Sequence, residues 1–138
     1  MELTRIEGWL SGFDGFAGFR WGRDCLPHQP NMVTLLPKGT QVEDTITDVL
    51  GNWKKTLEFT CTLAFSGTGE AQTLWDLQRW VMGEDAKGTC PQLGQGRKSV
   101  RLEKGRHLTK NKLGLDIYSA QLTLTYEIYY EVNENGKN

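Results

Sequence analysis

The chain has 138 residues, enough for one domain with one hydrophobic core, and we expect residues 133–138 to be a disordered tail. Sixteen basic and 17 acidic side chains give a formal net charge of −1, which does not indicate a nucleic-acid or membrane partner. The first residues contain early acids and no continuous apolar run, and no later segment is long and apolar enough to span a bilayer. We therefore expect a soluble protein, made in a cytoplasm, without a signal peptide or a membrane anchor.

The chain begins with an amphipathic pattern. Apolar residues recur at steps of three and four, at Leu3, Ile6, Leu10 and Phe13. This spacing predicts a helix of about three turns that is ended by Gly12 and Gly15.

A segment in which glycines alternate with aromatic residues follows at residues 12–30. We expect it to be irregular, with a short strand near residues 19–23. Its aromatic side chains Phe16, Phe19 and Trp21 are candidate contacts for another subunit or a partner. The alternative is that they pack back onto the core of their own chain.

The middle of the chain is rich in β-forming residues. Residues 32–36 read as a short apolar strand, and the proline and glycine of residues 37–39 predict a turn. Residues 41–49 form a weaker strand before a second turn at residues 50–52. The next strand alternates apolar and polar side chains up to Phe65, so residues 41–66 predict a long antiparallel hairpin with one solvent-exposed face.

The second half of the chain contains one helix and two more strands. A helix over residues 70–82 is predicted from one apolar stripe, which consists of Ala71, Leu74, Trp75, Gln78, Val81 and Met82 and is widened by Leu77. Residues 83–96 read as a loop, and alternation over residues 98–104 predicts a short strand, followed by a basic turn. Residues 115–132 alternate almost without exception and predict a long, half-buried final strand.

This order of elements predicts the fold class. Strands grouped before and after a helix favour an α+β fold with a mainly antiparallel sheet and helices packed on one face. The long hairpin and the long C-terminal strand exceed what one helix can cover. We therefore expect their far ends to be shielded by something else, for which a neighbouring subunit is a candidate.

Residues that could carry out chemistry are few. The three cysteines do not form a disulfide framework, and the nearest metal pattern is the weak pair Cys25 and His28, with Cys90 and His107 as distant partners. The carboxylates Glu43, Asp44 and Asp48 cluster on one hairpin arm, where solvated strand charges are the simpler interpretation. The glycines at residues 94–96 lack the spacing of a phosphate loop. We expect no enzyme activity, no cofactor and no metal.

The one local excess of charge lies at residues 97–112. Seven basic residues, Arg97, Lys98, Arg101, Lys104, Arg106, Lys110 and Lys112, oppose the single acid Glu103. Three interpretations stay open, namely contacts with phosphates, contacts with an acidic face of the next copy, and a solvated strand edge kept positive against aggregation. Arg97, Lys98, Arg101, Lys104 and Arg106 are the candidate contact residues, and an Arg101→Glu/Arg106→Glu variant would test them.

Several short motifs occur in an order that resembles a known family. They are LLPKG (35–39), DVLGN (48–52), LQRWV (77–81), GTCPQLG (88–94), EKGRHL (103–108) and YSAQLTLTYEIYYE (118–131). In this order they resemble small tail-region proteins of siphophages and prophages of Gram-positive bacteria, which are often labelled minor capsid proteins. The resemblance covers residues 35–131 and is weaker over residues 12–22.

The resemblance implies a structural role in a virion. The family is similar to tail terminators, or tail-completion proteins, whose α/β sandwiches form a hexameric ring that caps the tail tube and docks it to the head. It implies as partners further copies of the chain, the tail tube and the head–tail connector, with DNA passing through the ring and no membrane contact. A tail-tube or baseplate role is the alternative within phages, and a nucleic-acid-binding module using residues 97–112 is the alternative from another class.

Overall fold

The computed structural model describes residues 2–14, 18–21, 32–67, 71–110 and 112–132. Two helices and five strands follow one another along these ranges. They are α1 (Glu2–Leu10), β1 (Gly18–Trp21), β2 (Met32–Thr47), β3 (Trp53–Gly67), α2 (Gln72–Lys87), β4 (Lys98–Lys110) and β5 (Asp116–Tyr130). The expected disordered tail, residues 133–138, lies outside the described residues.

The five strands form one sheet in the order β1-β2-β3-β5-β4. β1 pairs with β2 in parallel, and the other three pairs are antiparallel. With the two helices this confirms the predicted α+β class with a mainly antiparallel sheet. β5 is the last described strand in the chain, yet it lies between β3 and β4.

The central pair, β3 and β5, organises the core. Its register runs from Trp53 opposite Tyr130 to Gly67 opposite Asp116 without an irregularity. One face of the pair is apolar, as the alternation predicted, and its buried members are Phe59, Cys61, Leu63, Phe65, Tyr118, Ala120, Leu122, Leu124 and Tyr126. The buried side chains of the helices, Ile6, Leu10, Phe13, Leu77 and Val81, belong to the same core. Both helices therefore cover one face, which we call the helix face; the opposite face is the polar face.

The turn predicted at residues 37–39 is wrong. β2 continues through this segment for 16 residues and pairs with β3 throughout, with irregular pairing between Pro37 and Gly39 and again between Val42 and Asp44. A bulge tolerates proline, which lacks an N–H, and Gly39 has the positive φ of 124° that glycine accepts readily. The hairpin therefore extends over β2 and β3 as a whole, with the predicted turn around Gly51.

Helix α2 differs from its prediction in length and in part of its buried face. It continues through Gly83 and ends at Lys87, where Gly88 adopts a φ of 71° and donates its N–H to the carbonyl of Asp85. Trp75 and Met82, which the predicted stripe included, are 65% and 62% exposed. The rest of the predicted stripe is confirmed, since Leu77 and Val81 are buried and Ala71 and Leu74 pack against the core. Trp80, which the stripe did not include, packs on Trp9 of α1, with ring centroids 4.8 Å apart.

Strand β4 is longer than predicted, because two irregular pairings carry it past the expected end at residue 104. These lie between Glu103 and Arg106 and between His107 and Thr109. Lys104 has a positive φ of 57°. A Cβ on Gly105 would lie 2.9 Å from Leu74 of α2, so the backbone approaches the helix closely there. His107 consequently lies on a strand and not in a turn.

The strands are much longer than the helix that covers them. β3 has 15 residues and spans about 50 Å, whereas the 16 residues of α2 span about 24 Å. The loop at residues 88–97 adds some cover, since Cys90 and Leu93 pack on the core. The sheet extends beyond this cover at what we call the distal end, formed by residues 42–56 and 128–132.

A glycine substitution in the loop at residues 88–97, with a control in helix α2, tests how closely this loop packs on β5. A Cβ on Gly94 would lie 2.3 Å from the carbonyl oxygen of Glu127, so Gly94→Ala should lower the free energy of unfolding by about 2 kcal/mol. The matched control is Gly83→Ala, which has open space in helix α2 and should stabilise the fold by about 0.5–1 kcal/mol. Urea unfolding followed by circular dichroism measures both; a Gly94→Ala variant as stable as the parent would contradict the packing described.

Candidate interaction surfaces

The polar face carries a network of charges between strands. Glu127 of β5 is only 6% exposed and lies 3.1 Å from the Lys54 ammonium of β3. It also accepts the backbone N–H of Arg97 at 2.8 Å. The hydrogen bond from Lys54, followed by that from Arg97, lowers the pKa of Glu127 below its ordinary value. This carboxylate therefore ties the start of β4 to the two central strands.

Arg101 of β4 belongs to the same network. Its guanidinium lies 3.2 Å from Glu58 of β3 and 3.2 Å from Glu103 of its own strand. Arg101 is therefore a bridge across the sheet, and replacing it by Glu would place three carboxylates together. This makes Arg101→Glu unsuitable as a test of assembly, because the variant would destabilise its own chain.

The other end of β4 is also paired within the chain. The carboxylate of Asp116 lies 3.0 Å from His107 Nε2 and 3.2 Å from Lys110 Nζ. Hydrogen bonds from His107 and then Lys110 lower the pKa of Asp116. Neither side chain is available as a free cation for a partner.

Among the described residues, three cations near one groove make no ion pair: Lys38, Lys104 and Arg106. The groove lies on the polar face, has a volume of about 340 Å³, and is lined by all three. Lys104 and Arg106 were candidate contacts from the sequence. Lys38 was missed, because residues 37–39 read as a turn and not as a bulge that brings this side chain to the sheet.

The remaining candidates divide as follows. Lys98 donates a hydrogen bond to the side chain of Gln92 at 2.8 Å, and Arg97 is exposed at the start of β4. Phe16 lies outside the described residues. Phe19 and Trp21 lie on β1, where their backbones pair with Val33 and Leu35, while their side chains lie outside what the structure describes.

Apolar side chains are exposed on both faces of the distal end, since Val42 lies opposite Leu57 on the helix face and Ile46 lies opposite Lys54 on the polar face. The exposed fractions are 53% for Val42, 55% for Ile46, 101% for Val49 and 74% for Leu50. On the helix face of this end Trp53 stacks on Tyr130 with ring centroids 5.3 Å apart, and the Lys55 ammonium lies 4.5 Å from the Trp53 ring. Tyr129 and Val132 add further partly exposed apolar surface. The prediction that the helices leave the far ends of the long strands uncovered is confirmed.

The two outer edges of the sheet differ in charge. β4 forms one edge and holds five cations, Lys98, Arg101, Lys104, Arg106 and Lys110, against one acid, Glu103. Arg101 and Lys110 are paired with carboxylates of their own chain. On the other side β1 pairs only with the first part of β2, up to Leu35. In the described part of the chain, β2 beyond Leu35 pairs with β3 alone, and this open stretch carries Glu43 and Asp44 near the distal end and the cation Lys38 further back.

Asp48 has a structural role that separates it from these two acids. Its carboxylate accepts the backbone N–H groups of Leu50 and Asn52 and the side-chain amide of Asn52, at 2.8, 3.1 and 2.9 Å. The hydrogen bond from the Asn52 side chain, more than any other, lowers the pKa of Asp48. Asp48 thus holds the turn at the distal end in place.

Of the four candidate metal ligands, the structure describes only Cys90 and His107. Cys25 and His28 lie outside the described residues. Cys90 is buried in the core, and His107 pairs with Asp116 on β4. The described ranges contain no group of three His, Cys, Asp or Glu side chains arranged to hold a metal ion. Burial raises the pKa of the Cys61 thiol to about 12, so this thiol is protonated and unreactive near neutral pH.

No protein-family model matches this sequence, and no curated protein matches it significantly. Among the described residues, no helix combines the length and apolar character needed to cross a membrane.

The Glu127 network predicts a specific dependence of stability on pH. Because the folded-state pKa of Glu127 is lowered, its contribution is present above about pH 4.5, the ordinary value, and is lost as the pH falls through the folded-state pKa. Glu127→Gln should therefore be less stable than the parent at pH 7, and this difference should shrink at pH 3. Urea unfolding at both pH values measures it. The control is Glu131→Gln at an exposed position; a Glu127→Gln deficit that is equal at both pH values would contradict the assignment.

Proposed function

We propose that this chain is a structural subunit that assembles with copies of itself into a ring, as a tail terminator or a related head–tail joining component of a phage virion. The observation that carries the proposal is the exposed apolar surface at the distal end. Single exposed apolar residues are ordinary on a protein surface, but their concentration in one short segment favours an interface that grips that segment from both faces. Here Val42, Ile46, Val49 and Leu50 are exposed within nine residues of one hairpin.

The acidic stretch of β2 near the distal end and the excess of cations on β4 support a second copy as the occupant. The acids Glu43 and Asp44 lie on the open edge of β2, and the cations of β4 lie on the other edge. A contact between unlike edges is heterologous, so each subunit uses one edge for each neighbour. Such contacts close into a ring when the rotation between subunits allows it, and the charges favour the correct orientation of approach.

The assignment to a phage tail rests on the order of the sequence motifs. The structure supports a subunit of an assembly more generally, because the helices cover only part of the long central strands. The motif GTCPQLG forms the loop that covers part of the helix face, and EKGRHL forms the irregular middle of β4. A tail-tube or baseplate subunit is the alternative that uses the same surfaces.

Charged substitutions at the hairpin tip test whether the distal end is an interface. Val49→Glu and Leu50→Glu should leave the monomer folded, since both side chains are exposed, and should prevent formation of larger species. Light scattering after size exclusion at low and high concentration measures the mass. Leu113→Glu is the matched control, because Leu113 is 71% exposed in the turn at the opposite end of the sheet. Equal loss of assembly in the control would show that the tip has no special role.

Charge reversal at the two edges tests the heterologous contact. A variant with Glu43→Lys and Asp44→Lys, and a variant with Lys98→Glu and Arg106→Glu, should each fail to assemble alone because like charges meet at the contact. An equimolar mixture should assemble, since the reversed edges complement each other and the unchanged edges still match. Only even-numbered rings satisfy this alternation, so the mass of the mixture also reports ring order. A mixture that stays monomeric while the parent assembles would refute the edge-to-edge contact.

The phage role has its own test. Mixing the chain with tail tubes from the phage or prophage that encodes it should give complexes visible at one end of each tube by negative-stain electron microscopy. Binding along the tube wall, or no binding by a chain that still forms rings, would exclude a terminator. Neither outcome would contradict the proposal that the chain forms a ring.

A further inference from the structure

We propose that the groove on the polar face lined by Lys38, Lys104 and Arg106 is a binding site for phosphate groups. The proposal does not depend on the ring or on a phage role. It starts from the difference between paired and unpaired cations. Lys54, Arg101 and Lys110 lie 3.1–3.2 Å from carboxylates of the same chain, whereas none of the three groove cations forms such a pair within the described residues. A cluster of unneutralised cations attracts an anion.

Two strand irregularities bring these cations to one place. Lys38 lies at the irregular pairing of β2 between Pro37 and Gly39, and Lys104 lies at that of β4 between Glu103 and Arg106. β2 and β4 flank the regular pair β3 and β5, so the two irregularities lie on either side of the central strands, whose polar face forms the floor of the groove. Bulges re-aim side chains and occur frequently beside functional sites.

The backbone around Gly105 sets the direction of its neighbours. A Cβ on Gly105 would point at Leu74 of α2, which places that position on the helix face. Lys104 and Arg106 nevertheless line the groove together with the backbone of Gly105, because the irregular pairing interrupts the alternation of faces at this point. Lys104 holds its φ of 57°, a conformation that non-glycine residues seldom adopt. An unfavourable conformation retained at a cluster of cations is typical of a functional site.

The floor of the groove supplies neutral hydrogen-bonding groups. It contains the hydroxyls of Thr62 and Ser119 and the amide of Gln121. Its described lining residues include no carboxylate, and the polar-face acids Glu58 and Glu103 are both engaged by Arg101, so the groove keeps a net positive charge. Guanidinium, ammonium and hydroxyl donors around a space of about 340 Å³ match the oxygens of a phosphate, carried either by free phosphates or by a nucleic-acid backbone.

The first experiment is an NMR titration of the full chain with pyrophosphate at low salt. We expect saturable shifts centred on Gly105, Arg106, Ser119 and Gln121. Lys38→Gln and Lys104→Gln should each weaken binding roughly tenfold, as expected for loss of a charge-assisted contact. Lys112→Gln is the matched control, because it removes the same charge from the same basic segment outside the groove. An equal loss in the control, or the absence of saturable shifts, would overturn the proposal.

A second variant separates binding from folding. Lys104→Gly relieves the positive φ, so it should raise the melting temperature while it weakens pyrophosphate binding. A variant that gains stability and keeps full affinity would contradict a role for this side chain.

The source of the phosphate is identified by parallel titrations. A nucleic-acid backbone is identified if a thymidine oligonucleotide binds more tightly than pyrophosphate. In that case the slope of log K against log salt concentration should become shallower by about 0.7 in Lys104→Gln, since one phosphate contact is lost. Tighter binding of pyrophosphate identifies free phosphates. Saturation by a hexaglutamate peptide and not by either phosphate probe would overturn the assignment in favour of an acidic protein segment.

Discussion

The regular pairing of β3 with β5 is the constraint on which the rest of the structure depends. Fifteen consecutive pairs keep one register, so every second side chain of both strands faces the helices. The irregularities occur in the flanking strands β2 and β4. The core is thereby fixed by the central pair, while the outer strands are free to bend and to present cations on the other face. The same length leaves the distal end beyond the reach of the helices.

Sequence periodicity predicted those elements whose two faces differ in polarity. It identified β3 and β5 because apolar and polar residues alternate along both, and it located the turn near Gly51. It failed where a bulge interrupts the period, as at Pro37 in β2 and Lys104 in β4, because a bulge and a turn use the same residue types. It also included Trp75 and Met82 in the buried face of α2 because both are large and apolar. Both are exposed, whereas Trp80, which was not included, packs on Trp9.

The candidate surfaces were only partly predictable for a different reason. The excess of charge at residues 97–112 is visible in the sequence, but the partners that neutralise part of it are distant. Glu58 lies 43 residues before Arg101 in the chain, and Lys38 reaches the groove from β2. A one-dimensional count of charges therefore cannot separate cations that hold the sheet together from cations that face solvent. That separation needs the strand order.

The position of β5 has a consequence for biosynthesis. β5, which lies between β3 and β4, is the last described strand to leave the ribosome. While the chain is being made, β3 and β4 therefore lack the strand with which both of them pair. Until residues 116–130 emerge, the apolar faces of both have an incomplete core, and the distal surface lacks Tyr129, Tyr130 and Val132. Completion of the core and completion of the distal surface therefore coincide, and both depend on the final strand leaving the ribosome.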